Sequence, residues 1–190
     1  MTSIRGVVLF PGSGSSSTHS SLLAMETALS PLPVARIDFP YRKAGKSFPD
    51  KAPVLVQCVK DEVRAFAKSL GVSSGELVIG GRSMGGRMCS MAVADAEDPL
   101  DVAGLVLISY PLHPPKKPDK LRTEHLPELR TRTLCVSGTR DDFGSPEELT
   151  NAFAVVPADV QWQWIENARH ELARKDDVVA AIAAQWITSL

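Results

Sequence analysis

Six short runs rich in Val, Ile and Leu punctuate the chain, and stretches with helical spacing separate nearly all of them. The runs cover 7–10, 34–39, 77–80, 105–108, 133–137 and 160–165. Most are apolar at consecutive rather than alternate positions, the pattern of strands covered on both faces. The intervening segments predict helices over 20–29, 53–70, 84–94, 146–153 and 178–187. In the longest, Leu55, Val59, Val63, Phe66 and Leu70 recur at three- and four-residue intervals, with Pro53 at the start and Gly71 at the stop. Strands joined by helical crossovers predict an α/β fold of six mostly parallel strands with helices on both faces. The proline-rich segment 111–126 has no periodicity and is the expected place for a partial cap over a site.

A chain of 190 residues suits one domain spanning 1–190, without a large lid domain. At this length roughly 70 % of the unfolded surface is buried on folding, so neither a disulfide nor a metal is needed to staple it. Cys58, Cys89 and Cys135 are odd in number and form no CxxC pair, which predicts no disulfide framework, no metal site and a reducing cytoplasm. A net charge of −1 provides no electrostatic basis for a nucleic-acid or membrane-surface partner. The segment from Met1 to Gly6 is too short for a signal peptide, and no later apolar run approaches the ~20 residues of a membrane span. These readings predict a soluble cytoplasmic protein and leave its oligomeric state open.

In an open α/β sheet, reactive groups gather where strands end at their carboxyl side. After the third strand stands Gly81-Arg82-Ser83-Met84-Gly85, followed by a helical pattern. The spacing matches a nucleophile elbow, in which a serine occupies a tight strand-to-helix turn and glycines two residues either side relieve collisions. Such a turn aims the Met84 N–H and the helix N-terminus at a developing oxyanion. After the fifth strand come Asp141 and Asp142, which compete to orient a histidine, with Asp141 favoured; the alternative use for either is to cap the following helix. After the sixth comes His170. His19 and His125 precede the acid in the chain and His113 falls one strand early, so only His170 completes the order Ser, Asp, His.

The first strand ends in Pro11-Gly12-Ser13-Gly14, where Ser13 is the natural second oxyanion donor, and Gly12 and Gly14 let the backbone approach a substrate. A dinucleotide fingerprint would need glycine at Ser17, and a phosphate loop would need a lysine well before Lys43. No cofactor is expected. Arg82 and Arg140 flank the nucleophile and the acid, where each has the reach to meet a substrate carboxylate or to brace a loop; Tyr41 and His113 also follow strands and are candidate pocket residues.

These segments resemble the α/β-hydrolase superfamily, and more narrowly a dienelactone-hydrolase-related group of small bacterial hydrolases with animal relatives. The narrow match is carried by Asp38-Phe39-Pro40-Tyr41, Gly81 through Arg87, Ser109-Tyr110-Pro111-Leu112-His113, Gly138-Thr139-Arg140-Asp141 and His170. The resemblance implies a minimal hydrolase core with Ser83, Asp141 and His170 as triad, and it favours Asp141 over Asp142. The group usually reads His-Gly after the first strand, whereas this chain has Pro11-Gly12, so the geometry opposite Ser83 is the point of departure. The implied activity is hydrolysis of a small carboxylester or lactone through an acyl-enzyme. The rival readings are an acyltransferase with the same serine, and a non-catalytic scaffold, a role known for one animal branch.

Overall fold

A computed structural model describes residues 3–190. The reading of the N-terminus as too short for a leader rests partly on Met1 and Thr2, which lie outside the described residues. The elements in chain order are β1 (Gly6–Phe10), α1 (Ser20–Leu29), β2 (Val34–Arg36), α2 (Pro40–Lys43), α3 (Ala52–Leu70), β3 (Leu77–Arg82), α4 (Met84–Val93), β4 (Gly104–Ile108), β5 (Thr133–Gly138), α5 (Pro146–Phe153), β6 (Val160–Ile165) and α6 (Asp176–Thr188). The six strands form one sheet in the order β2-β1-β3-β4-β5-β6, and every neighbouring pair is parallel.

The consecutive apolar residues of the inner strands divide between two cores. Val8, Phe10, Ile79, Leu105, Leu107 and Cys135 pack under α3, α4 and α5, whereas Val7, Leu9, Val78, Val106 and Val136 pack under α1 and α6. Strand pleating sends alternate side chains to opposite faces, so a strand covered on both sides must be apolar throughout. The edge strand β6 shows the contrasting pattern. Trp162 and Trp164 stack on one another with centroids 4.7 Å apart and face α5, while Gln161 and Gln163 point to solvent.

One predicted strand boundary moves for a local reason. The strand expected over 34–39 ends at Arg36, because Pro40 has no N–H for a ladder and starts a short helix instead. Asp38 leaves the sheet to accept hydrogen bonds from the Ser17 N–H (2.7 Å) and hydroxyl (2.9 Å). Helix α3 stops at Gly71, which takes the left-handed conformation with φ 69°. Segment 111–125 carries no helix or strand, and a single 3-10 turn follows at Leu126–Glu128. No described helix is long and apolar enough to cross a membrane.

The strand order sets the position of the site. From β1 the chain moves outward to β2, then crosses back to β3 and proceeds the other way. The loops after β1 and β3 therefore diverge, leaving a crevice at the carboxyl edge between them.

Candidate active site

Ser83 sits at the mouth of that crevice, between the last residue of β3 and the first of α4. Its backbone has φ 50° and ψ −117°, a conformation that costs a non-glycine residue about 1–3 kcal/mol and persists only when its surroundings enforce it. Here the Ser83 N–H donates to the Ile108 carbonyl (2.8 Å), and its own carbonyl accepts from the Arg87 N–H (3.0 Å). A Cβ at either Gly81 or Gly85 would overlap the Phe10 carbonyl oxygen, so the elbow packs against β1 only with glycine at both places. Helix α4 can then rise directly from the serine.

The loops after β5 and β6 are clipped together. The Arg140 N–H donates to Ala168 O (2.9 Å), Thr139 N–H to Ile165 O (3.1 Å), and Asn167 N–H to the Thr139 hydroxyl (2.8 Å). This brings His170 onto Asp141. The buried Asp141 carboxylate accepts from His170 Nδ1 at 2.8 and 3.0 Å and from the Phe143 N–H at 2.8 Å. With Nδ1 the donor, Nε2 is left as acceptor for the Ser83 hydroxyl, 2.8 Å away. The Phe143 ring stacks on the imidazole, centroids 4.0 Å apart. Behind it, the His170 carbonyl accepts from the Ser109 hydroxyl (2.9 Å) and from Arg82 Nη2 (3.1 Å). Asp142 points outward, 68 % exposed and 3.7 Å from Arg169.

Opposite the serine, the loop after β1 passes so close that a Cβ on Gly12 would lie 3.6 Å from that of Ser83. Pro11 removes one N–H from this loop without displacing Gly12 from the nucleophile. Among the described residues, neither the Met84 nor the Ser13 N–H donates to a protein acceptor. The Tyr41 hydroxyl, buried beneath, donates to the Ser13 carbonyl at 2.7 Å and fixes the orientation of that peptide. Tyr41 thus lies under the loop and outside the cavity wall.

A cavity of about 590 Å³ opens over Ser83. Gly12, Ser13, Gly14, Arg82, Met84 and His170 line it, as sequence reasoning expected of these positions, and Pro111 and Arg122 enter it from the proline-rich segment. Two other expected pocket residues lie elsewhere. Arg140 is exposed outside the cavity, and His113 is buried, its Nδ1 2.9 Å from the Pro114 carbonyl and its Nε2 3.6 Å from Glu148. Arg82, although in the wall, spends its guanidinium on Glu171 (2.8 Å) and the His170 carbonyl. That partner holds the Glu171 carboxyl below its ordinary range.

Sequence reasoning passed over Arg87, Ser109, Phe143 and Glu171, and set His19 aside as a base. His19 lines the cavity 3.3 Å from Arg82 Nη1, and burial and then Arg82 keep its pKa below the usual value. The signals for Arg87 were its place at the end of the Gly81–Arg87 segment that carries the resemblance and its position one helical turn after Ser83. The thiols are no rivals to the serine: burial pushes Cys58 up to about 11 and Cys89 and Cys135 upward as well. Among the described residues no cluster of three His, Cys, Asp or Glu is placed to hold a metal ion.

A family model described as an alpha/beta hydrolase domain matches residues 4–187, so the chain belongs to the α/β-hydrolase family. Many solved structures share its fold, among them these three. Dienelactone hydrolase from Anabaena variabilis is 20 % identical with a TM-score of 0.72, covering 98 % of this chain and 87 % of that one. A monoacylglycerol lipase from Paleococcus ferrophilus is 14 % identical at 0.74, covering 100 % and 96 %. Est1E from Butyrivibrio proteoclasticus is 14 % identical at 0.77, covering 100 % and 89 %.

Proposed function

We propose that the protein is a serine hydrolase of small carboxylic esters or lactones, acting as one domain over 1–190. The observation that carries this reading is the unbroken line of hydrogen bonds from Ser83 Oγ through His170 to Asp141, at 2.8 Å on each side of the imidazole. It ends on a serine held in a strained turn, which a merely structural serine does not need.

Ser83 Oγ attacks the carbonyl carbon as its proton passes to His170 Nε2, and Asp141 stabilises the imidazolium that results. The Met84 and Ser13 N–H groups meet the negative oxygen, each contributing about 3–4 kcal/mol to the transition state by analogy with single-donor removals elsewhere. His170 returns the proton to the leaving alkoxide as the tetrahedral carbon collapses to an acyl-Ser83. Water then repeats the sequence on the acyl-enzyme, with His170 taking its proton, and releases the acid. The protein needs no cofactor for these steps.

The modest cavity and the absence of a lid domain among the described residues favour short acyl groups. The test is a nitrophenyl ester series of increasing chain length, on wild type and Ser83→Ala. Turnover of the acetyl and butyryl esters that vanishes in Ser83→Ala is expected. Equal rates for long and short chains would refute the size assignment, and turnover surviving in Ser83→Ala would refute the nucleophile.

A further inference from the structure

The charges of the cavity wall are not balanced within it. Arg82 is matched to Glu171. Arg87 and Arg122 are not matched: among the described residues neither forms an ion pair. Arg122 Nη1 donates to the Pro111 carbonyl at 3.2 Å, and the buried Nε of Arg87 has no partner. The two guanidiniums come from different elements, α4 and the segment after β4, and both reach the same cavity.

Arg122 also feels the charge of Arg87. Burial, and next the charge of Arg87, hold Arg122 below the ordinary arginine value. The buried groups packed behind them supply no anion, and the acid beside His125, Glu124, is exposed and forms no ion pair among the described residues. His125 is pushed down to about 4 by burial and by Arg87, so it is neutral at pH 7, and its Nε2 meets the Ser90 hydroxyl at 2.8 Å. The Tyr110 hydroxyl donates to the Arg122 carbonyl at 2.6 Å, and burial raises its pKa. The remaining carboxylate in the wall, Asp50, makes no ion pair among the described residues. An arginine kept only for packing ordinarily ends on a carboxylate or a set of carbonyls. Two half-buried guanidiniums left facing one space are an uncompensated cost that a bound oxyanion would offset, and their planar forks match its geometry.

We propose that Arg87 and Arg122 bind a carboxylate or phosphate group on the substrate, a short chain away from the scissile carbonyl. The distance follows from the helix. Arg87 lies in the first turn of α4, its N–H donating to the Ser83 carbonyl at 3.0 Å, so its side chain starts one turn from the nucleophile. The substrate class narrows to anionic esters such as monoesters of short dicarboxylic acids or their phosphorylated counterparts. The substrate role rests on Ser83 being the nucleophile; the anion site itself does not.

The test therefore separates binding from turnover. Calorimetric titrations use the Ser83→Ala protein with glutarate, dimethyl glutarate and inorganic phosphate, and repeat the series with Arg122→Gln added. Glutarate is expected to bind and dimethyl glutarate not to. Arg122→Gln should weaken glutarate roughly 10- to 100-fold, the worth of a charge-assisted contact. Arg122→Lys, which keeps the charge but not the fork, serves as the second variant if the glutamine variant does not fold, and should lose several-fold. Phosphate bound more tightly than glutarate would assign the anion as phosphate. Binding of neither anion, or equal glutarate affinity with and without the Arg122 substitutions, would overturn the inference. With active protein, the preference for a glutaryl monoester over its methyl-capped form should fall by the same factor. Turnover of neutral esters with no anion binding would remove this inference and leave the hydrolase reading standing, while anion binding without any turnover would do the reverse.

Discussion

Replacing Asp141 with asparagine should abolish nearly all turnover while leaving the fold in place. The carboxylate accepts three hydrogen bonds, two from His170 Nδ1 at 2.8 and 3.0 Å and one from the Phe143 N–H at 2.8 Å. Asparagine has the same shape but a single acceptor oxygen. The Phe143 N–H holds that oxygen at the Oδ1 position, and the amide nitrogen then falls at the Oδ2 position, facing Nδ1. A donor there forces the imidazole proton onto Nε2, and a protonated Nε2 cannot accept from Ser83. By analogy with the same exchange in a serine protease, the loss is about 10⁴ in kcat, close to 5 kcal/mol of barrier. Stability should fall by only about 1–2 kcal/mol, because the packing volume is unchanged and one neutral hydrogen bond survives. Asp142→Asn is the matched control. Its side chain is 68 % exposed and its pairing with Arg169 is loose, so stability should change by under about 1 kcal/mol and turnover hardly at all. The assay is kcat and KM on nitrophenyl acetate at pH 8, with thermal melts of each variant. A folded Asp141→Asn protein keeping more than a tenth of kcat, or a larger loss in Asp142→Asn, would refute this assignment.

Further expectations concern the supports of the site. Gly85→Ala drives a Cβ into the carbonyls of Phe10 and Pro11 and should cost roughly 1–3 kcal/mol or more in urea unfolding; a neutral result would contradict the close packing of the elbow on β1. Tyr41→Phe removes the hydroxyl that holds the Ser13 carbonyl and should lower kcat about 2- to 10-fold, the worth of one hydrogen bond, with KM little changed. On the far side of the molecule, hydrogen bonding from the buried Lys60 ammonium, helped by the Glu97 and Asp98 N–H groups, holds the Asp95 carboxyl at about 2 instead of 3.8. A depressed carboxyl contributes stability that is complete above the unfolded value and fades as pH falls from 3.8 toward 2. Asp95→Asn should therefore lose less stability than wild type between pH 5 and pH 2 in acid unfolding curves, and parallel curves would contradict the pairing.

The parts legible in the sequence were those set by neighbours along the chain. Helix α5 was visible because Pro146 opens it, and α3 because its apolar spacing runs unbroken into Gly71. Strand β2 was overrun because Ile37 and Phe39 continue its apolar character, while Pro40 lies just beyond them. The candidate triad residues could be named because each lies within five residues of a strand's carboxyl end, and parallel strands all bring those loops to the same edge. What directs a side chain once it leaves that edge is not local. Arg140 and His113 also lie on loops at strand ends, yet one turns to solvent and the other packs against Pro114. Arg87 and Arg122 meet only because α4 packs beside the segment after β4, a juxtaposition that no spacing in the chain records. Ser109 was hidden for the same reason: its partner, the His170 carbonyl, is 61 residues away.

The central claim is that Ser83 is a nucleophile activated by His170, and covalent labelling tests it without knowledge of the substrate. Folded protein is treated with a fluorophosphonate and the modified residue located by peptide mass spectrometry. The account predicts one label per chain on Ser83, none in Ser83→Ala, and labelling slowed by orders of magnitude in His170→Ala. A folded wild-type protein that takes no label, or takes it at another serine, would contradict it.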